Sequence, residues 1–211
     1  MNTLEAILSR RSIRRFKPDE VAPALITQVL EAGRLAPSST NTQPWKFVVV
    51  RSQEARQALC AAAYDQPMIR QAPVVIVALG DRRRFRKWLR RSKELVDIGA
   101  VDSEVIETVG KIYKDRAKMA GVDPDAKITA NCMIAIDHMS LAATSLGLGT
   151  CWVMLMKADE VARQLRLPDS VYPVALMPMG YAAQDPPPRP RYPLVEVAFD
   201  EDLNHEWNAE S

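Results

Sequence analysis

The stretch CMIAIDHMSLAATSLGLG, residues 132–149, decides the fold, because it is apolar on nearly every side of a helical wheel. Its Ala, Met and Leu content favours a helix, and a helix without a polar face is buried over most of its surface. Gly147 or Gly149 is expected to end it, since glycine commonly follows a helix C-terminus. We therefore predict a central helix that other elements surround.

The composition is that of one soluble globular domain over residues 1–211. Hydrophobic residues make up 47% and charged residues 26% of the chain, which is close to the average for this class. The 28 basic and 26 acidic residues leave a net charge of +2, which argues against nucleic acid or an anionic membrane as a main partner. The start of the chain lacks a signal-peptide pattern and no apolar run is long enough to span a bilayer. We expect a cytoplasmic protein.

The cysteines and histidines predict neither disulfides nor a metal site. Cys60, Cys132 and Cys151 are odd in number, lack C-x-x-C spacing and lie in apolar surroundings. This is typical of reduced thiols in a core. His138 and His205 are far apart in the sequence and have no acidic or Cys partners at ligand spacing.

Short apolar runs bounded by Pro, Gly or polar residues predict strands that alternate with helices. Apolar spacing from Leu4 predicts a first helix ending near Ser9, and Pro23 suits the first turn of a second helix. VARQLRLP predicts a short helix stopped by Pro168. The predicted strands are WKFVVV (45–50), APVVIVALG (72–80), TCWVML (150–155) and VYPVALMPMGY (171–181).

A basic run, DRRRFRKWLRRSK at 81–93, opens a stretch from 81 to 127 that we interpret as a helical insert. Phe85, Trp88 and Leu89 recur at i, i+3 and i+4 and predict one apolar side of a helix. Three alternatives stay open for its charge. It is a solvated face, a surface for nucleic acid or membrane, or a patch that steers phosphorylated nicotinamide cofactors towards an active site.

Two polar segments suggest a ligand site. RRSIRRF at 10–16 combines guanidinium groups, a hydroxyl and backbone N–H groups, which suits a phosphate, although a solvated basic loop is the alternative. PSSTNTQPW at 37–45 is stiffened by Pro37 and Pro44 and offers hydroxyls and amides to a planar heterocycle. The segment GLGTCW at 147–152 is not a dinucleotide fingerprint, because Trp152 replaces the last glycine and the segment follows a helix. No phosphate-binding P-loop or G-x-S-x-G motif occurs.

The proline-rich segment DPPPRPR at 185–191 is expected to run extended over a surface. PLVEVAF at 193–199 then resumes a period-2 apolar pattern. This predicts a last strand, which could join a partner's sheet.

Taken in order, RRSIRRF, LAPSSTNTQPWKFVVV, APVVIVAL, LGLGTCWV and GYAAQDPPPRPRYPLVEV resemble the FMN-dependent nitroreductase family. The resemblance implies an α+β fold with a central, mostly antiparallel sheet flanked by helices. It also implies a homodimer with two FMN molecules at the subunit interface, in which the C-terminal arm, residues 185–211, embraces the partner.

The resemblance also implies which residues bind FMN. Arg10, Ser12 and Arg191 match phosphate-side positions, and Arg14 matches the basic residue near the N1/O2 edge of the ring. Arg11 belongs to the same motif, although solvent or an acidic neighbour is the alternative for its side chain. Further matches are the loop that reaches the flavin from the partner chain (Pro37, Ser38, Ser39 and Asn41) and the backbone near flavin N5 (Met154, Leu155 and Met156).

The activity implied is that of an FMN-dependent oxidoreductase. It would take hydride from NADH or NADPH and reduce nitroaromatics, quinones or similar flat acceptors by ping-pong exchange, with no catalytic side chain and with Arg14 tuning the flavin. One branch carries an acidic residue where this chain has Met156, so the surroundings of N5 differ from that branch.

The alternative is a flavin-binding protein of the same fold with another role: reductive dehalogenation, flavin conversion or non-catalytic binding. Dehalogenation is disfavoured, because the expected Glu four positions before Tyr113 is Val109. We also expect Phe85, Trp88 and Leu89 to form a lid over the flavin.

Overall fold

A four-stranded antiparallel sheet forms the centre of the computed structural model, which describes residues 1–115 and 121–207. The strand order is β1-β2-β4-β3, and every neighbouring pair is antiparallel. The expected α+β fold with a mostly antiparallel sheet is therefore confirmed. The strands are β1 (Trp45–Val50), β2 (Val74–Asp81), β3 (Gly149–Thr150) and β4 (Val171–Gly180).

Helices cover both faces of this sheet. On one face α2 and the long α8 pack over the sheet, and on the other face lie α3, α4 and α9. The helices are α1 (Thr3–Ser9), α2 (Pro23–Arg34), α3 (Gln53–Ala62), α4 (Pro67–Gln71), α5 (Arg82–Phe85), α6 (Trp88–Asp97), α7 (Ser103–Lys114), α8 (Pro124–Ser145) and α9 (Ala158–Gln164), with 3₁₀ turns at Ser39–Asn41 and Leu194–Glu196.

Strand β2 is apolar along nearly its whole length because it is buried on both faces. Ile76 and Ala78 belong to the core beneath α2 and α8, whereas Val75 and Val77 belong to the core beneath α3, α4 and α9. Successive side chains of a strand point to opposite faces. A strand covered on both sides therefore loses the alternation of apolar and polar residues that marks a half-exposed strand.

The central helix α8 begins at Pro124, earlier than the stretch from Cys132 that predicted it. The Asp123 side chain accepts the Asp125 N–H and caps the helix, and Pro124 occupies its first turn. At the other end Gly147 has φ +78°, its N–H bonds the Thr144 carbonyl, and the Leu148 N–H bonds the Ala143 carbonyl. This glycine-dependent Schellman motif confirms Gly147 as the residue that ends the helix.

Two predicted strands are wrong in this chain. TCWVML contributes only Thr150 to the two-residue β3 and forms a single bridge from Val153 to Leu176, because its partner Pro178 has no N–H to donate and breaks the ladder. PLVEVAF forms the 3₁₀ turn Leu194–Glu196 with local hydrogen bonds. Leu194, Val195 and Val197 are exposed, and within the described chain the segment pairs through a single antiparallel bridge from Phe199 to Glu206.

The basic run forms two helices rather than one. The buried Asp81 carboxylate accepts the N–H groups of Arg83 and Arg84 at 2.9 and 3.4 Å and so starts α5 directly after β2. Phe85 enters the core, whereas Leu89 is 46% exposed, so the predicted common apolar side is wrong. All three cysteines are buried and free, as expected.

Candidate functional site

The segment RRSIRRF lies along the edge of the sheet and is joined to it by isolated bridges. Helix α1 ends at Ser9, and the Ile13 N–H then donates to the Thr150 carbonyl at 2.8 Å. Gly149 permits this approach, because a Cβ atom there would lie 2.5 Å from Ile13 Cγ1. Farther along, Phe16 forms an antiparallel bridge with Ala182, just before the proline-rich segment. Residues 10–16 and 185–191 are thereby brought together.

A pocket of about 290 Å³ lies between these two segments. It offers four guanidinium groups and one hydroxyl, and none of the described residues that line it is acidic. This donor set suits a phosphate group, and we refer to this cavity as the phosphate pocket. The lining residues are Ile7, Leu8, Arg10, Arg11, Ser12, Pro186, Pro187, Pro188, Arg189 and Arg191.

The four arginines of the phosphate pocket are not equivalent. Arg11 Nη1 donates to the carbonyls of Leu8 and Arg10 at 2.7 and 3.0 Å, so its guanidinium caps the end of α1. Arg191 Nη1 donates to the Pro190 carbonyl at 3.2 Å. Within residues 1–115 and 121–207, the guanidinium groups of Arg10 and Arg189 donate to no protein acceptor. These two therefore keep their full capacity for a ligand.

Arg14 faces the same end of the sheet. Its Nη1 lies 3.4 Å from the Ser12 carbonyl oxygen. Burial raises the pKa of the Cys151 thiol, and the charges of Arg14, Arg189 and Arg10 act against that rise. The charges of three guanidinium groups thus act on the residue that follows β3.

The predicted segment near N5 continues from this point. Val153 bonds Leu176 on β4, and the next two side chains are turned outward, with Met154 54% and Leu155 66% exposed. Gln66 Nε2 donates to the Leu155 carbonyl at 3.0 Å and holds the exposed backbone in place. Met156 instead packs against the core beneath α3, α4 and α9.

The loop from Pro37 to Gln43 has an unusual backbone. Thr40, Asn41 and Gln43 have φ values of 49°, 52° and 44°. Left-handed conformations are costly for residues other than glycine, most of all for the β-branched Thr40, and they cluster at functional sites. The backbone of this loop is therefore a second indication of function.

Three contacts hold the loop in this strained form. Asn131 of α8 accepts the Ser39 N–H at 2.8 Å, and Ser38 Oγ accepts the Gln43 N–H at 3.0 Å. Arg91 of α6 donates from Nε to the Asn41 carbonyl at 3.0 Å. The loop is thus braced against α8 and α6, and Pro37 at its start is exposed.

The loop and the phosphate pocket lie at different levels along α8. The loop is tied to Asn131, whereas the arginine segment pairs with Thr150, just beyond the helix end at Ser145. Fourteen residues at 1.5 Å per residue place these points roughly 20 Å apart. A single chain therefore does not bring the two predicted halves of the cofactor site together.

Arg189 is a site residue that the sequence analysis missed. In DPPPRPR two arginines alternate with proline, and in an extended chain the alternation alone does not say which of them faces a ligand. Both line the phosphate pocket.

Trp88, one of the three residues predicted to form a lid, contacts another part of the stretch from 81 to 127. Trp88 stacks on Tyr113 with ring centroids 4.6 Å apart, and Lys127 Nζ lies 5.4 Å from the Tyr113 centroid. A lid over a flavin stays a prediction. In residues 1–115 and 121–207 we find neither a His, Cys, Asp and Glu cluster suited to a metal ion nor a helix able to cross a membrane.

Comparison with known proteins identifies relatives that match nearly the whole chain. A protein from Thermus thermophilus named NADH dehydrogenase is 32% identical over 194 residues, which cover 92% of this chain and 93% of that protein. An FMN reductase [NAD(P)H] from Bacillus subtilis is 29% identical over 94% of this chain and 73% of its own length.

A crystal structure from Exiguobacterium sibiricum, described as a nitroreductase-type protein in complex with FMN, superposes with a TM-score of 0.78 at 25% identity. The superposition covers 95% of this chain and 98% of that one. The family model described as the nitroreductase family matches residues 7–181. This match includes the arginine segment, the strained loop and the strands of the sheet. The chain therefore belongs to the nitroreductase family.

Proposed function

We propose that this protein is an FMN-dependent oxidoreductase that takes hydride from NADH or NADPH and passes it to a flat acceptor such as a nitroaromatic compound or a quinone. The observation that carries the proposal is the phosphate pocket, with its four arginines, the Ser12 hydroxyl and no acidic lining residue. FMN ends in a phosphate, and the charge of a phosphate is matched by these groups.

The residues fit FMN beyond its phosphate. Arg10, Arg189 and Arg191 would hold the phosphate, with Ser12 donating from its hydroxyl. Arg14 lies farther along the same edge of the sheet, in a position to face the ring. The exposed residues Met154 and Leu155 would border the reactive edge of the ring.

FMN, when bound, supplies the hydride chemistry, and the chain supplies position and charge. Arg14 would hold a positive charge beside the ring edge on which negative charge collects, which favours acceptance of hydride. The loop at Ser38, Ser39 and Asn41 would present hydroxyl and amide groups to the ring and exclude water from it. No side chain of the site needs to transfer a proton for the hydride step itself.

A homodimer would complete the site. The roughly 20 Å separation within one chain means that the loop of one protomer would serve the phosphate pocket of its partner. Apolar residues left exposed support such an interface: Leu4 and Leu8 of α1 are 71% and 75% exposed, and Leu194 and Val197 of the C-terminal arm are 62% and 59% exposed. The arm, residues 185–211, would then lie over the partner, which accounts for the exposure of Leu194 and Val197 in one chain.

The first test is the colour and reduction of the purified protein. We expect a yellow protein whose flavin absorbance bleaches under anaerobic NADH or NADPH and returns with quinones or nitroaromatics. A colourless preparation that binds no added FMN would contradict the proposal. Because the Bacillus subtilis relative is named FMN reductase, free flavin belongs in the panel of acceptors.

A second test examines the shared site. Chains carrying Arg10→Ala are mixed with chains carrying Ser39→Ala and Asn41→Ala, refolded together and titrated with FMN. If each site takes its pocket from one protomer and its loop from the other, the mixed dimers regain one intact site of two. Failure to regain any tight FMN binding in mixed dimers would contradict a shared site.

A further inference from the structure

A second pocket, which we call the basic pocket, lies beside the strained loop and has no role in the function proposed so far. Its volume is about 320 Å³. One wall comes from the loop and the other from the basic helices α5 and α6. The lining residues are Thr42, Gln43, Arg84, Lys87, Arg90, Arg91 and Glu94.

The basic pocket has an excess of positive charge that the protein does not neutralise. Four basic residues face one acidic residue, so the lining carries a net charge of +3 (4 − 1). Glu94 pairs closely with Arg91, and its Oε1 lies 3.4 Å from Arg90 Nε. The Lys87 ammonium donates to no acceptor within the described residues, and the Arg90 side chain is 78% exposed. Lys87 is therefore available to an anion, and Arg90, which is largely exposed beside Glu94, can join it.

The other two basic residues are structural. Arg84 Nη1 donates to the Trp45 carbonyl at 3.1 Å, and Arg91 Nε donates to the Asn41 carbonyl at 3.0 Å. They fix the pocket to β1 and to the loop. Its position relative to Asn41 is thereby defined.

We propose that this pocket receives the 2′-phosphate at the adenosine end of NADPH and makes NADPH the preferred electron donor. The proposal rests on the proposed function, in which the loop at Asn41 would lie against the flavin ring, the group that takes hydride from the donor. From Arg91, which contacts Asn41, to Lys87 is one turn of α6, roughly 6 Å along the helix axis. The pocket thus lies just outside the ring-contact loop, on the side towards which the outer half of a docked donor can extend.

The chemistry favours a phosphate monoester over the hydroxyl that NADH carries at the same position. A phosphate monoester has a charge between −1 and −2 near pH 7 and accepts several charge-assisted hydrogen bonds. A hydroxyl carries no negative charge, so it gains no ion-pair attraction from Lys87 or Arg90. An RNA strand is a poorer fit, because the excess charge is confined to one small pocket in a chain whose net charge is +2.

The test compares two pairs of substitutions that remove the same charge. The pocket pair is Lys87→Gln with Arg90→Gln, and the control pair is Arg86→Gln with Lys93→Gln. Arg86 and Lys93 belong to the same basic run and are exposed, but they do not line the pocket. Any effect of net charge on long-range attraction is thereby matched.

The direct measurement is calorimetric titration with adenosine 2′,5′-bisphosphate and with adenosine 5′-monophosphate. We expect the unaltered protein and the control pair to bind the bisphosphate about tenfold more tightly or better, in line with charged hydrogen bonds. The pocket pair should bind the two compounds about equally. Equal binding of both compounds by the unaltered protein, or an equal loss in the control pair, would overturn the proposal.

Kinetics give an independent measurement. In the pocket pair the KM for NADPH should rise about tenfold while the KM for NADH changes less than about twofold. Equal increases for both donors would assign the pocket to the pyrophosphate that they share and overturn the assignment to the 2′-phosphate. Tighter binding of a single-stranded RNA than of the bisphosphate would also overturn it.

The two proposals fail in distinguishable ways. If neither donor reduces bound FMN, the proposed function is wrong. The calorimetric titration needs no flavin, so it reports on the basic pocket in either case.

Discussion

Removing one arginine at a time from the phosphate pocket should weaken FMN binding by an amount that depends on what that guanidinium already contacts. Arg10 and Arg189 donate to no acceptor within the described chain, and Arg191 has only one exposed contact with the Pro190 carbonyl. A hydrogen bond to a charged group contributes about 1.5 to 3 kcal/mol. We therefore expect Arg10→Ala, Arg189→Ala and Arg191→Ala each to lower FMN affinity about 10- to 150-fold.

Two other arginines of the region serve as comparisons. Arg11 already uses two hydrogen bonds on the end of α1, so Arg11→Ala should cost less FMN affinity than Arg10→Ala and should also lower the free energy of unfolding. Arg15 is exposed and does not line the pocket. Arg15→Ala removes the same formal charge and should change FMN affinity less than about twofold, as surface substitutions usually do.

The assay is titration of the apoprotein with FMN at low and at high salt. Binding is measured by the quenching of flavin fluorescence. Urea unfolding of each variant separates lost affinity from lost structure. Unchanged FMN affinity in both Arg10→Ala and Arg191→Ala would refute the pocket assignment. A loss in Arg15→Ala as large as that in Arg10→Ala would show that net charge, and not the pocket, holds the phosphate.

Three further substitutions test the structure around the site. Gly149→Ala would place a Cβ 2.5 Å from Ile13 Cγ1; we expect about 1 to 3 kcal/mol of destabilisation and weaker FMN binding, checked by urea unfolding and FMN titration. Burial alone would raise the pKa of Asp81, but Lys46 and two N–H groups of α5 outweigh it and the pKa is lowered. Stability should therefore fall as pH drops below about 4 through that lowered pKa, and less steeply in Asp81→Asn, as acid unfolding curves would show. Arg14→Gln should lower the flavin midpoint potential by about 30 mV, which for two electrons is about 1.4 kcal/mol, and an unchanged potential in spectroelectrochemistry would remove Arg14 from the ring.

The parts of the fold that could be predicted from the sequence are those with a strong local pattern. Strand β2 was expected at 72–80 and lies at Val74–Asp81, because a run buried on both faces is apolar throughout. The first eight of the 22 residues of α8 were missed, since polar residues such as Asn131 mask its apolar face. The strand expected at 193–199 was wrong, because a period-2 pattern forms a strand only where another strand pairs with it.

The candidate site divides in the same way. The arginine segment, the loop and the proline-rich tail were each visible as motifs, and their order indicated the nitroreductase family. Three features could not be predicted from the sequence. They are the presence of Arg189 in the phosphate pocket, the basic pocket, and the distance between the loop and the phosphate pocket. Each of these depends on contacts between distant parts of the chain.

By itself the sequence determined the local properties of this protein: which segments are apolar enough to be buried, where helices end, and which residue types can hold a phosphate. These follow from side-chain chemistry and backbone preference over a few residues. Only the tertiary structure decided which of these groups meet. The bridge from Phe16 to Ala182 brings the arginines to the tail, and the length of α8 keeps the loop away from them. The physical reason is that pairing across the sheet and the length of α8 decide which segments come close together. Neither can be predicted from a single motif.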